Sequence, residues 1–399
     1  MSDWQDLNIG SICIKIIDYR GKTPEKVLSG TKLITSKVIK NSRILDNANF
    51  EYIRDDKYEE VMRRGKPEFQ DILLTTEAPL GEVALIKSDE KIAIAQRIIL
   101  LRADQDKVIP DFLFYSLRGP IGYNRVQQKG TGTTVLGIKN PELKKVILPI
   151  PPLPTQQKIA KILSNYDDLI ENNLKRIKLL EESARLIYEE WFLRFRIDGK
   201  KLEIDPESSL PFGWELVELG DFLKFKKGKK ADEIFEEKKD NLIKLLLLSG
   251  LGSGEYAYVE KARHVIARRG DVLMTMDGAR SSVVFYSEDG AVGSTMSLVE
   301  TGKLPKSYLY HFFKSTYEWL EINNTGAAIP HANKSFINKM KIIHPGDEIL
   351  TKWSKKMYHI NDQVFNLKDQ NQLLKEARDI LLPRLMTGMI DTDELDIAV

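Results

Sequence analysis

Cysteine is almost absent: Cys13 alone stands in 399 residues, so no intrachain disulfide can form. The five histidines, His264, His311, His331, His344 and His359, show no metal-ligand spacing, which assigns them and Cys13 to packing or surface roles. No apolar run approaches membrane-spanning length; the longest strongly apolar stretch is Leu245 to Leu248. The opening MSDWQDLNIG lacks the basic segment and apolar core of an export signal, and together these absences predict a soluble cytoplasmic protein. Neither sign of charge dominates, with 60 Lys and Arg against 58 Asp and Glu and a net charge of +2. That balance neither demands nor excludes a nucleic-acid partner, because a basic face can be offset elsewhere. A phosphate cradle of the form G-x-x-x-x-G-K-[ST] is also missing, and Gly250 to Gly254, GLGSG, departs from G-x-G-x-x-G.

What is present is a repeat with a period near 200 residues. WQDLNIG at Trp4 to Gly10 matches WELVELG at Trp214 to Gly220, and a basic glycine turn follows each, YRGK at Tyr19 to Lys22 and KKGK at Lys226 to Lys229. DILLT at Asp71 to Thr75 matches DVLMT at Asp271 to Thr275, and TGTTV at Thr131 to Val135 matches TGAAI at Thr325 to Ile329. LKKVILP at Leu143 to Pro149 matches KMKIIHP at Lys339 to Pro345. Each copy reads as short Ile, Val and Leu strands broken by Gly and Pro, with one amphipathic helix opened by proline, at Pro110 to Gly119 and Pro305 to Ser315. The aromatic stripes Phe112, Phe114, Tyr115 and Tyr308, Tyr310, Phe312, Phe313 read as core. The fold class is therefore α+β, with two similar globular domains and a pseudo-two-fold internal repeat.

Glycine and proline vanish from Thr155 to Asp198 and again from Asp347 to Leu382. In the first run apolar residues recur at heptad positions a and d: Ile159, Leu163, Tyr166, Ile170, Ile177, Leu180, Ala184, Ile187 and Trp191, with Asn173 interrupting. The second reads Leu350, Trp353, Met357, Ile360, Val364, Leu367, Leu374 and Leu381, interrupted by Asn371 and Arg378. Periodicity over more than four heptads argues for two helices of roughly 54 to 66 Å that bury their stripes on each other. An antiparallel coiled coil fits the short linker Asp198 to Gly213, and a buried Asn at an a position fixes register, so Asn173 and Asn371 are expected to pair. The prolines of PIPPLP, Pro149 to Pro154, make a stiff approach, with Thr155 as N-cap of the first helix. The boundaries that follow are 1–152 for the first domain, 153–198 for the first spacer helix, 199–345 for linker and second domain, and 346–399 for the second helix and tail.

Two like domains on a rigid spacer suit a ligand with two sites at fixed separation, and double-stranded DNA is the commonest. From Lys15 to Arg43, eight Lys and Arg face only Asp18 and Glu25, an excess fit for phosphates. Glycine turns allow close backbone approach and polar neighbours can probe a groove. The DNA-binding candidates are Arg20, Lys22, Lys129, Thr131, Thr133 and Thr134 in the first domain, and Lys227, Lys229, Arg280, Ser281, Ser282, Asn333 and Lys334 in the second. Gln96 and Arg97 carry suitable groups but sit in a strand pattern and read as structural pairing. Adjacent acids such as Asp167 and Asp168, or Glu181 and Glu182, read as solvated charges or partner contacts. The rival readings are a coiled-coil protein-binding scaffold without DNA recognition and a fused DNA methyltransferase.

The chain resembles the specificity subunits of type I restriction–modification systems. The residues that carry this are GWELVELGD, DILLTTEAPLGEVALI, GTTVLGI at Gly132 to Ile138, ILPIPPLPTQQKIAKILSNYDDLIENN into the first long run, and LLPRLMTGMID at Leu381 to Asp391. The resemblance spans nearly the whole chain. It departs from the family at Gln156, where Glu usually precedes Gln, and at IIHPGDEI, which replaces the proline run. It implies two target-recognition domains, each reading one half of a bipartite asymmetric DNA site, with the helices setting the gap and docking two methyltransferase subunits, to which restriction subunits add. S-adenosylmethionine, ATP and Mg would belong to those partners, and this chain would hold no cofactor, no metal and no catalytic residue. An Asn/Asp-Pro-Pro-aromatic loop for a flipped base is indeed lacking, since NPEL at Asn140 to Leu143 and IPPL at Ile150 to Leu153 both fail the pattern.

Overall fold

The computed structural model of the chain describes residues 3–19, 24–45, 49–132 and 134–392. Arg20, Lys22 and Thr133 lie outside the described residues. The chain forms two compact units, one from the residues up to Glu171 together with those from Leu373 on, the other from Asn172 to Gln372.

The first unit is built on a four-stranded antiparallel sheet in the order Cys13–Asp18, Ile98–Ala103, Ile72–Thr76, Leu80–Leu85. Strand alternation divides its side chains between two cores. Ile72, Leu74, Ile99 and Leu101 face the helix Pro110–Arg118, whereas Leu73, Ile98 and Leu100 face a second layer. That layer includes Thr31–Ile34 running parallel to Ile92–Ile94. Because both faces are covered, Ile72–Thr76 is buried at every position, which is why Ile72 to Leu74 are apolar without alternation. Gln5–Asn8 pairs antiparallel with Ile147–Ile150 and ties the start of the domain to its end.

The second unit repeats this plan. Its sheet runs Lys224–Lys227, Met296–Glu300, Val272–Thr275, Val284–Tyr286. Val272, Met274 and Val299 face the helix Lys306–Ser315, and Leu273, Met296 and Leu298 face the other layer. Leu242–Leu246 runs parallel to Gly290–Val292, and Glu215–Glu218 pairs with Lys341–His344. The aromatic stripes are core as expected, with Phe112, Phe114, Tyr115, Tyr308, Phe312 and Phe313 all buried.

The long runs form helices at Leu153–Tyr188 and Asp347–Met386. The first begins earlier than a Thr155 cap would place it. Pro154 sits in the first turn, where a missing N–H costs nothing, and the end of this helix widens into a π turn at Glu189–Leu193. In the second unit the two helices run antiparallel: Asn173 Nδ2 donates to Asn371 Oδ1 at 3.0 Å, and Ile177 packs with Val364 and Leu367, flanked by Leu180. In the first unit Asp167 meets Arg378, and Lys158 Nζ reaches the carbonyl of Thr392. As one helix index rises the other falls. The fold is thus α+β, with two similar domains and two long antiparallel helices. Outer heptad positions join the domain cores, Ile159 and Leu163 on one side and Met357 with Ile360 on the other. Among the described residues no helix is long and apolar enough to cross a membrane.

The linker from Asp198 to Gly213 is ordered: it folds through the pairing of Arg196–Ile197 with Lys200–Lys201, a bridge between Ile204 and Pro211, and burial of Leu210. One expectation needs correction. Asp167 is not a solvated charge, since its carboxylate is enclosed by Tyr115, Arg118 and Arg378.

The proline joint owes its rigidity to one side chain. Gln156 is fully buried; its Nε2 donates to the carbonyls of Lys107 at 2.9 Å and Pro151 at 2.8 Å, and its Oε1 accepts from Ile109 N at 2.8 Å. Removing the side chain strands three backbone groups, each costing about 1–3 kcal/mol when buried unpaired. Gln156→Ala is therefore expected to lower unfolding free energy by about 3 kcal/mol or more in urea titration. A loss under about 1 kcal/mol would mean that water replaces the amide without penalty.

Candidate nucleic-acid interface

In the first domain the helix Pro120–Gln128 ends at Lys129 and hands over to a tight loop. Thr131 N donates to Gly137 O at 2.7 Å and Gly137 N returns to Thr131 O at 3.0 Å, which closes the neck. Ile138 N then donates to Thr76 O at 2.9 Å, docking the loop on the end of the central strand. Gly132 has φ of +126°, and a Cβ there would lie 2.3 Å from the carbonyl oxygen of Val135. Only glycine fits. Lys129, Thr131 and Thr134 are exposed on this loop. Beside it lies a shallow cleft of about 390 Å³ lined among others by Thr76, Glu77, Gln96, Arg97, Thr131 and Lys139. Across it Arg97 Nε meets Glu77 Oε1 at 2.8 Å, both side chains more than a third exposed.

The second domain repeats the construction bond for bond. Thr325 N donates to His331 O at 2.9 Å, His331 N to Thr325 O at 2.7 Å, and Ala332 N to Met276 O at 2.8 Å. Gly326, with φ of +90°, would place a Cβ 2.3 Å from the carbonyl oxygen of Ile329. Asp277 stands where Glu77 stands, but its carboxylate takes different partners, the His331 ring at Nδ1, 2.8 Å away, and Lys227 Nζ at 3.4 Å. Burial pushes the Asp277 carboxyl up, yet His331 and Lys227 outweigh it and hold the group below the usual carboxylate value.

The remaining candidates of the second domain fall into two kinds. Lys227, Lys229, Arg280 and Lys334 are exposed. The Arg280 guanidinium lies over the Phe285 ring at 5.8 Å and the Lys334 ammonium over the Phe225 ring at 5.6 Å, so each charge rests against an aromatic face. Ser281 and Ser282 are buried. Ser281 Oγ donates to the carbonyls of Gly278 and Pro330, both at 2.7 Å, and Ser282 Oγ donates to Asn324 Oδ1 at 2.7 Å. They shape the turn that presents Arg280. Asn333 is half-buried and caps the helix Lys334–Lys339, accepting from Phe336 N at 3.0 Å. Gln96 and Arg97 do not lie in a strand as their pattern suggested but in the turn between Ile92–Ile94 and Ile98–Ala103, where Arg97 pairs with Glu77 and stays exposed at the cleft. The acids Glu77 and Asp277 and the ring of His331 escaped notice, although the acid two residues beyond the matched Thr75 and Thr275 was visible in the repeat.

The family model described as "Type I restriction modification DNA specificity domain" matches residues 1–182 and again 211–377, one match on each copy of this construction. The chain belongs to that family. Among relatives, the type I restriction enzyme MjaIX specificity subunit of Methanocaldococcus jannaschii is 28% identical over 349 residues, 81% of this chain and 78% of the relative. The MjaVIII specificity subunit of the same organism is 22% identical across 99% of this chain and 94% of its own length. A crystal structure of the type I restriction–modification system S subunit from M. genitalium superposes with a TM-score of 0.56 at 18% identity, covering 96% of both chains, and so shares the fold. Both specificity domains therefore present a glycine-necked loop docked beside an acid–cation pair. Among their described residues no group of three or more His, Cys, Asp or Glu could hold a metal ion.

Substituting the neck glycine tests this geometry. Gly326→Ala is expected to abolish the loop closure, seen as loss of hydrogen-exchange protection at the amides of Thr325 and His331, while strand Val272–Thr275 stays protected. Retained protection at both amides would show that the neck does not depend on glycine.

Proposed function

We propose that this chain is the DNA-reading specificity subunit of a type I restriction–modification complex. Each domain reads one half of a bipartite asymmetric site, and the helices set the gap and dock two methyltransferase subunits. The observation that carries this reading is the same glycine-necked loop and acid–cation pair occurring once in each specificity domain. A symmetric ligand surface of repeated phosphates and groove edges calls for such duplicated, slightly different readers. The different cations at Glu77 and Asp277 fit an asymmetric site.

In this reading Lys129, Lys139, Lys227, Lys229 and Lys334 neutralise phosphates, and Thr131, Thr134, Arg97 and Arg280 approach base edges; their exposure supports it. Asn333, Ser281 and Ser282 support the loops. Arg20, Lys22 and Thr133 remain proposed contacts on sequence grounds alone. The helices leave apolar side chains in solvent, among them Leu169, Leu179, Leu186, Tyr358, Leu373 and Ile380, a surface suited to protein partners. Adenine methylation with S-adenosylmethionine belongs to the methyltransferase subunits, and ATP- and Mg-dependent translocation and cleavage to the restriction subunits, all in the cytoplasm. This chain supplies recognition without catalysis.

Assembling the chain with its methyltransferase partner and mapping methylated adenines across a genome is expected to return a two-part motif with one fixed gap. A single uninterrupted motif, or none, would refute the bipartite reading. Lys229→Ala should weaken binding to all sequences alike and reduce the slope of log K against log salt by about 0.9; an unaltered slope would remove Lys229 from the phosphate contacts. Deleting one heptad from each helix should change the preferred gap and leave both half-sites intact, and an unchanged gap would defeat the ruler.

A further inference from the structure

One ionic junction in the first unit is unlike anything at the matching place in the second. Asp167, on the first long helix, uses both carboxylate oxygens. Oδ1 accepts from Arg378 Nη1 of the second long helix at 2.5 Å. Oδ2 accepts from Tyr115 Oη at 2.8 Å and Arg118 Nη1 at 3.0 Å, both on the helix Pro110–Arg118 of the recognition domain. Asp379 closes the circuit, accepting from Arg378 Nε at 2.9 Å and lying 3.6 Å from Arg118 Nη2. The side chains of Asp167, Arg118 and Arg378 are only 18%, 12% and 10% exposed.

Three elements thus meet at one carboxylate. Arg378 also explains the break in the second heptad seam, where an apolar residue would pack as well and carry no direction. Counted from the helix starts, Asn361 occupies the place of Asp167 in the second unit; counted from Pro305, Phe313 occupies that of Arg118. There the domain meets the helices through a buried aromatic cluster of Tyr188, Trp191, Phe192, Tyr308 and Trp353, while a charged tether, Arg269 to Asp369 at 2.5 Å, is a more exposed pair, 31% and 54%, that reaches a single helix. A buried charge network is costly to desolvate and often adds little net stability over apolar packing. Its distinctive contribution is geometric, because planar guanidinium forks accept a carboxylate in few orientations.

We propose that Asp167 is a positioning residue that fixes the direction in which the first recognition domain leaves the helical spacer, and thereby confines the complex to a single gap between its half-sites. The inference rests on the bipartite DNA-reading function proposed above. Lys87 gives the same domain a looser second tether, its Nζ 2.8 Å from Asp168 Oδ1 at the exposed surface, too hydrated to set an angle by itself.

The test uses the full chain assembled with its methyltransferase partner and a DNA pool carrying both half-sites at the native gap and at gaps one base pair longer and shorter. Wild type is expected to methylate the native gap alone. Asp167→Asn keeps the shape of the side chain but not its charge, and is expected to raise methylation of the neighbouring gaps relative to the native one by about ten-fold, with both half-site sequences unchanged. Tyr115→Phe removes a single hydrogen bond and keeps the ring in the core, and is expected to shift the same ratio in the same direction by a smaller factor. Unchanged single-gap selection in soluble Asp167→Asn, or in Tyr115→Phe where the first variant does not assemble, would overturn the proposal. So would an altered half-site, which would place the residue in reading. A wild-type complex indifferent to the second half-site would instead refute the bipartite function, a different and separable outcome.

Discussion

An apolar stripe that no single helix can hide is the constraint on which this molecule turns. Both long helices carry one for most of their length, and water excludes each stripe until it finds a partner. Antiparallel pairing satisfies the middle of both stripes, with the buried Asn173–Asn371 hydrogen bond selecting one register. The outer parts need other cover, and the domains supply it: Ile159 and Leu163 enter one core, Trp353 and Met357 the other. The helices are therefore extensions of the domain cores as much as connectors.

The two domains reach this end by different chemistry. In the first, buried polar groups join the apolar contacts at the junction, with Gln156 bonded to three backbone groups and Asp167 to three side chains. In the second, stacked and edge-on rings surround Trp353. Aromatic packing tolerates small rotations better than a fork of charge-assisted hydrogen bonds does. A duplicated fold has thus kept its sheet topology while its attachment to the helices diverged.

Much of this was legible in the chain itself. Duplicated motifs separated by a constant period disclosed two like domains, and the glycine- and proline-free runs disclosed two helices whose Asn residues meet. What escaped had long-range causes. Asp167 looked solvated because its neighbour is also acidic; the donors that enclose it, Tyr115, Arg118 and Arg378, lie far along the chain. Ser281 and Ser282 looked available beside Arg280, yet the turn folds inward on Pro330 and Asn324. The helix start moved before Thr155 because proline is welcome in a first turn. The pairing roles of Glu77 and of Asp277 were hidden since their partners, Arg97 for one and His331 with Lys227 for the other, do not match between copies.

The glycine necks have a wider consequence. Closure of each loop depends on one residue without a side chain and on backbone hydrogen bonds, none of which consults the residues at the tip. Thr134 and Val135 in one loop, Ala327, Ala328 and Ile329 in the other, stand exposed with the neck already shut behind them. Structural obligation and sequence variety are thereby assigned to different atoms. A lineage can exchange the tips residue by residue while the necks, sheets, cores and helices beneath register no change.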